Sequence, residues 1–153
     1  MKEDDHKPKD EIIAEVGGLV DETGVCLAVY GDDLNPDDVS ARLGCSPTHC
    51  HRRGDQRSPN SLPYPQGAWF LETRGEAPTG PEQLIRRLLM RLPNDPQVWI
   101  GLASNYDVQL RIAIHFSRWN KGFDMSKEVV AMISNLHATI GFDLYGYGDD
   151  EDA

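Results

Sequence analysis

From Val108 to Ser117 the chain alternates without a break, with Val108, Leu110, Ile112, Ile114 and Phe116 on one parity and Gln109, Arg111, Ala113, His115 and Ser117 on the other. A period of two held over ten residues demands an extended strand with one face in a core and the other half polar. Such a strand needs partner strands at its sides and a covering layer over its apolar face. The rest of the chain must supply both.

The covering layer is written as helices. After an apolar run from Val25 to Tyr30, read as a central strand, Asn35 stands at a capping position, Pro36 at the first helical position, and Asp37 and Asp38 where they complement the helix dipole. Leu34 and Val39 occupy the staple positions and Gly44 the stop, which predicts a helix over 35–43. Thr48 to Arg53 reads as a strand, 54–66 as a loop rich in Pro, Ser and Arg, and Ala68 to Thr73 as a third strand. A helix over 81–92 turns Leu84, Ile85, Leu88, Leu89 and Leu92 inward and Arg86, Arg87 and Arg91 to water, and Asn94 or Asp95 before Pro96 restarts a short helix carrying Val98, Trp99 and Leu102. Ser126 caps a helix to about His137 with Val129, Val130, Met132, Ile133 and Leu136 on its buried stripe and Met125 stapling Val130; Phe142 to Tyr147 is a last strand. The order β-α-β-β-α-(α)-β-α-β predicts an α+β fold: a ferredoxin-like antiparallel sheet, β-α-β-β-α-β, with helices on one face, extended by a C-terminal α-β unit.

With 153 residues the chain has room for one ordinary domain, expected over 23–148 between an acidic N-terminal tail, 1–22, and an acidic C-terminal tail, 149–153. Of the net charge of −10, the first 22 residues carry eight acids against three lysines, and Asp149, Asp150, Glu151 and Asp152 add four more negative charges. Ile12, Ile13, Val16, Leu19 and Val20 give the opening segment a weak helical pattern that Gly17 and Gly18 interrupt, so a docked arm is conceivable and a long helix is not. The negative field opposes binding to nucleic-acid phosphates and favours a basic partner. No apolar stretch is long enough to cross a bilayer, no signal peptide is visible, and three cysteines without regular spacing fit a reducing compartment, so the expected setting is the cytoplasm.

Candidate sites are few. Arg52, Arg53 and Arg57, beside Thr48 and the loop, give a local net of +3 from Arg42 to Arg57 once Asp55 is counted; guanidinium forks there could grip a carboxylate or phosphate, against the plainer reading of a solvated strand end. Arg111 adds a guanidinium on the half-polar parity of its strand, and Trp69 and Trp119 could flank a groove, although tryptophans in a domain of this size are more often core. His49 and His51 share one strand face with Cys50 opposite, so the segment supplies two convergent metal donors, and His115 is the candidate third; standard zinc spacings are absent. No nucleophile elbow, phosphate loop or dinucleotide pattern occurs, and no cofactor is expected.

The run Tyr30-Gly31-Asp32-Asp33-Leu34-Asn35-Pro36-Asp37-Asp38-Val39, then Leu43-Gly44-Cys45-Ser46-Pro47-Thr48, Arg53-Gly54-Asp55 and Gly67-Ala68-Trp69-Phe70-Leu71-Glu72, resembles a bacterial family catalogued as domain of unknown function 4279. The likeness spans about residues 24–147, is specific in its first half and looser after it, and brings no reaction with it. The expected function is therefore a protein-interaction domain without catalysis, of the immunity or accessory kind, binding a protein partner through the half-polar sheet face and the 48–66 region. The alternative is a small-anion or metal-binding domain, enzymatic or not, using Thr48, His49, His51, Arg52 and His115. Self-association as a homodimer through the open sheet face is a further expectation, because Cys26, Ala28 and Tyr30 lie opposite Val25, Leu27 and Val29.

Overall fold

The apolar run that begins the folded part becomes the middle of a five-stranded sheet. A computed structural model describes residues 18–117 and 120–147; the acidic ends before residue 18 and after residue 147, Ile12, Ile13, Val16 and Trp119 lie outside them. Strand β1, Glu22–Gly31, pairs antiparallel with β3, Gly67–Glu76, on one side and with β4, Asp107–Phe116, on the other. A short strand β2, His49–His51, lies beyond β3, and β5, Thr139–Gly146, beyond β4, giving the order β2-β3-β1-β4-β5. Four helices among the described residues complete the α+β fold: α1, Pro36–Leu43; α2, Pro81–Leu89; α3, Pro96–Asn105; and α4, Lys127–Ser134.

The sheet is mixed, because β5 runs parallel to β4 whereas every other pair is antiparallel. Helix α4 carries the chain back to the end where β4 began, and a strand reached by such a crossover must run in the same direction. No described helix is long and apolar enough to cross a membrane.

Alternation decides which face is core. Val25, Leu27 and Val29 of β1, Trp69 and Leu71 of β3, and Val108, Leu110, Ile112 and Ile114 of β4 are all buried, packed with Leu84, Ile85 and Leu88 of α2, Trp99 and Leu102 of α3 and Val129 of α4. The helices begin where their caps dictate. The Asn35 side chain accepts from the Asp37 amide, Asp95 from the Gln97 amide and Ser126 from the Val129 amide, while Gln83 reaches back to the Gly80 amide. Gly44 closes α1 at φ 68°, a left-handed conformation that glycine adopts without cost from a Cβ.

Several boundaries differ from the sequence expectation. Strand β2 keeps only His49–His51 of the expected 48–53, since the Arg52–Asp55 turn takes over. Helix α2 ends at Leu89 and finishes in tighter i→i+3 turns through Leu92, as Pro93 forbids its continuation. Helix α4 stops at Ser134, and Val130, expected on its buried stripe against Met125, is 52% exposed: the packed stripe is Val129 and Ile133, one turn apart. Trp69 does not flank a groove. Its parity turns it into the core, where it is fully buried and its indole Nε1 donates to Ser40 Oγ at 3.0 Å.

Candidate functional site

The face opposite the helices is built by the other parity. Residues paired across antiparallel strands point the same way, so the registers place His49 beside Phe70, Phe70 beside Ala28, Glu72 beside Cys26, and Cys26 beside Arg111. The parallel register continues the row through Gly141, Asp143 and Tyr145 of β5. Ala28 and Ala68 are the buried exceptions on this side, because small side chains sink beneath their neighbours.

Aromatic rings occupy both ends of this face. Towards β2, His49 lies against Phe70 at 4.5 Å between centroids, Tyr30 meets Phe70 edge-on at 5.6 Å, and His51 stacks on Tyr64 at 3.5 Å and 10°. Burial holds the His51 imidazole below its ordinary pKa and so favours its neutral form, against the opposing pull of Asp55. Towards β5, His115 stacks on Tyr145 at 4.6 Å, and its Nδ1 lies 3.0 Å from the Tyr147 hydroxyl.

Between the rings lies a cleft of about 180 Å³. Gly24 and Ala113 contribute little bulk to its floor, while Glu72, Arg74, Arg111 and Asp143 supply charge around Cys26. Arg111 Nη2 donates to both carboxylate oxygens of Asp143, at 2.9 and 3.0 Å. The Cys26 thiol is pushed up to about 12, first by burial and then by the neighbouring Glu72 carboxylate. A thiol held protonated this firmly is a poor nucleophile at neutral pH. Burial likewise raises the Tyr30 hydroxyl and the Cys45 thiol.

The arginine group expected at the 48–57 rim divides. Arg52 is tied inward: its Nη2 donates to Asn35 Oδ1 at 3.0 Å and Asp37 Oδ2 at 3.2 Å, and its amide donates to Asp55 Oδ2 at 2.8 Å. It joins the end of β2 to the start of α1. Thr48 is equally engaged, its amide donating to the Phe70 carbonyl at 2.7 Å and its hydroxyl accepting from the Glu72 amide at 2.9 Å. Arg53 and Arg57 are exposed, without a partner among the described residues. The loop above them is tied by the Gly54–Tyr64 and Tyr64–Asp55 backbone bonds and by a Ser58–Ser61 turn.

The histidines expected to share a metal do not converge. His115 lies three strand spacings from His49, about 14 Å, and six residues further along the sheet, roughly 20 Å. Among the described residues no group of three or more His, Cys, Asp or Glu side chains could hold a metal ion. The sequence reading set Cys26 on the open face only as part of a self-association surface, and it missed Glu72, Tyr64, Asp143, Tyr145 and Tyr147 as site residues. The parity of β3 would have pointed to Glu72 beside Cys26; Asp143 needed the register of β5, which nothing local fixes.

A family model described as Domain of unknown function (DUF4279) matches residues 21–147. No curated protein and no solved structure gives a match to the chain.

Proposed function

We propose, from the premise that the chain belongs to the DUF4279 family, that it is a recognition module which binds a partner protein on its open sheet face and carries out no reaction of its own. The single supporting observation is the one-sided sheet. The helices bury one parity, and the other presents the His49–Phe70–Tyr30 and His115–Tyr145–Tyr147 ring groups on either side of the charged cleft. Aromatic rings give a docked chain apolar area at small entropic cost, and the Glu72, Arg111 and Asp143 charges discriminate among partners. The protonated Cys26 and the committed Thr48 and Arg52 favour binding over catalysis in this reading.

Its first six major elements are read as a ferredoxin-like β-α-β-β-α-β arrangement, supported by the neighbours β2-β3-β1-β4, with α4 and β5 appended. Three free cysteines support a cytoplasmic setting. The test places a photo-reactive residue at Phe70 or Tyr145 on the open face, or at Arg87 on the helix layer, and exposes the full chain to lysate of its own host. The reading expects one defined protein adduct from the open-face positions that disappears when Arg111→Glu is added. Adducts that do not depend on the face, or survive that substitution unchanged, overturn it.

A further inference from the structure

The two edges of the sheet are unlike. Strand β2 is three residues long, ends in the Arg52–Asp55 turn and carries the Tyr64 ring of the following loop stacked on His51. These are the devices that keep an edge from pairing with another chain. Strand β5 has none of them among the described residues: it runs eight residues, TIGFDLYG, without proline, lysine or a break in register.

Its outward groups can be identified. The Tyr147 amide donates to the Phe116 carbonyl, and backbone groups alternate sides along a strand. The amides and carbonyls of Tyr145, Asp143 and Gly141 therefore point to β4, and those of Ile140, Phe142 and Leu144 point away from the sheet. The same three residues place their side chains on the helix-side face, where they remain 40%, 47% and 66% exposed. Apolar side chains and unpaired backbone thus coincide at one edge.

We infer that β5 is the interface of a homodimer, pairing antiparallel with β5 of a second copy about a two-fold axis through Phe142. The occupant is argued from self-complementarity. With the axis at Phe142, that residue faces itself and Ile140 faces Leu144 of the second copy, so every outward amide from 140 to 144 meets an outward carbonyl. Six backbone hydrogen bonds form in this register. No like charges meet across the seam, because Asp143, the one charged residue of β5, is held by Arg111 within its own subunit. The product is a ten-stranded sheet whose open faces are continuous across both copies. A seam of one paired strand lies at the low end of specific interfaces, so the expected dimer is weak and reversible.

The inference is independent of the partner-binding reading, which concerns the other face. Sedimentation velocity on the full chain from micromolar to millimolar concentration should show a reversible dimer. Phe142→Lys sets two ammonium groups opposite each other at the axis and should weaken the dimer by more than about tenfold, with an unchanged far-ultraviolet circular dichroism spectrum establishing that the variant is folded. Phe142→Cys, in a Cys50→Ser background, should form a disulfide-linked dimer on mild oxidation, since facing residues in a hydrogen-bonded antiparallel pair have Cα atoms about 5.5 Å apart. A monomer throughout the range, or a dimer that does not cross-link through position 142, overturns the inference.

Discussion

The guanidinium of Arg111 occupies the space that a Cβ on Gly141 would fill: an added methyl there would overlap the Arg111 head group. Glycine at this point of β5 is what lets the arginine lie across the strand and reach Asp143 with one nitrogen on both oxygens. The charged side of the cleft thus depends on a residue that carries no charge.

Gly141→Ala should therefore displace the flexible end of Arg111 and break the pair without unfolding the sheet. Because Arg111 and Asp143 are each about 40% exposed, at 40% and 43%, the loss should be no more than about 1 kcal/mol. Urea unfolding of Gly141→Ala, Asp143→Asn and the double variant checks this: once Gly141→Ala is present, Asp143→Asn should cost nothing further.

Asn35 Oδ1 serves two donors, the Asp37 amide at 3.1 Å and Arg52 Nη2 at 3.0 Å. Asn35→Ala removes the cap together with one of the two acceptors of Arg52 Nη2, leaving Asp37, and should cost about 1–2 kcal/mol, whereas Arg52→Ala alone should cost about 0.5 kcal/mol. Denaturant midpoints with an unchanged slope would establish the ordering.

The Trp69 indole needs Ser40. Ser40→Ala leaves a donor in the core without its acceptor and should destabilise the fold by about 1–3 kcal/mol. In the Trp69→Phe background, where no indole N–H remains, the same serine substitution should cost less than half as much by thermal unfolding.

Cys26 carries a pH dependence of definite sign. Its folded pKa of about 12 stands above the ordinary 9.0, so between those values the unfolded chain releases a proton that the folded chain retains. Stability contributed by the neutral thiol is present below pH 9 and declines as pH rises towards 12. Unfolding free energies measured across that window should fall less steeply for Cys26→Ser, whose hydroxyl does not titrate there. At pH 8 a thiol reagent should modify exposed Cys50 first and Cys26 last.

Much of this molecule is legible locally. Asn35 before Pro36, Asn94 or Asp95 before Pro96, and Ser126 declare where three helices begin, because a cap is a contact within three residues; the structure selects Asp95. The parity of Val108 to Phe116 gives the faces of β4 outright. What escapes local reading depends on separation. Arg52 finds Asn35 across 17 residues, and Arg111 finds Asp143 across 32, through a parallel register set by the α4 crossover. His49 and His115 share a parity but occupy opposite ends of the sheet, a distance that only strand order reveals. Trp69 was open to two readings until β3 acquired neighbours on both sides.

The 54–66 loop, long and rich in residues that suit open coil, is instead closed on itself by backbone bonds between Gly54, Asp55 and Tyr64 and by the Tyr64 ring resting on His51. Its conformational entropy is spent during folding, before any encounter. A surface of the kind proposed above, if it reached this rim, would meet a shape already set, so its affinity would rest on fit and little on accommodation.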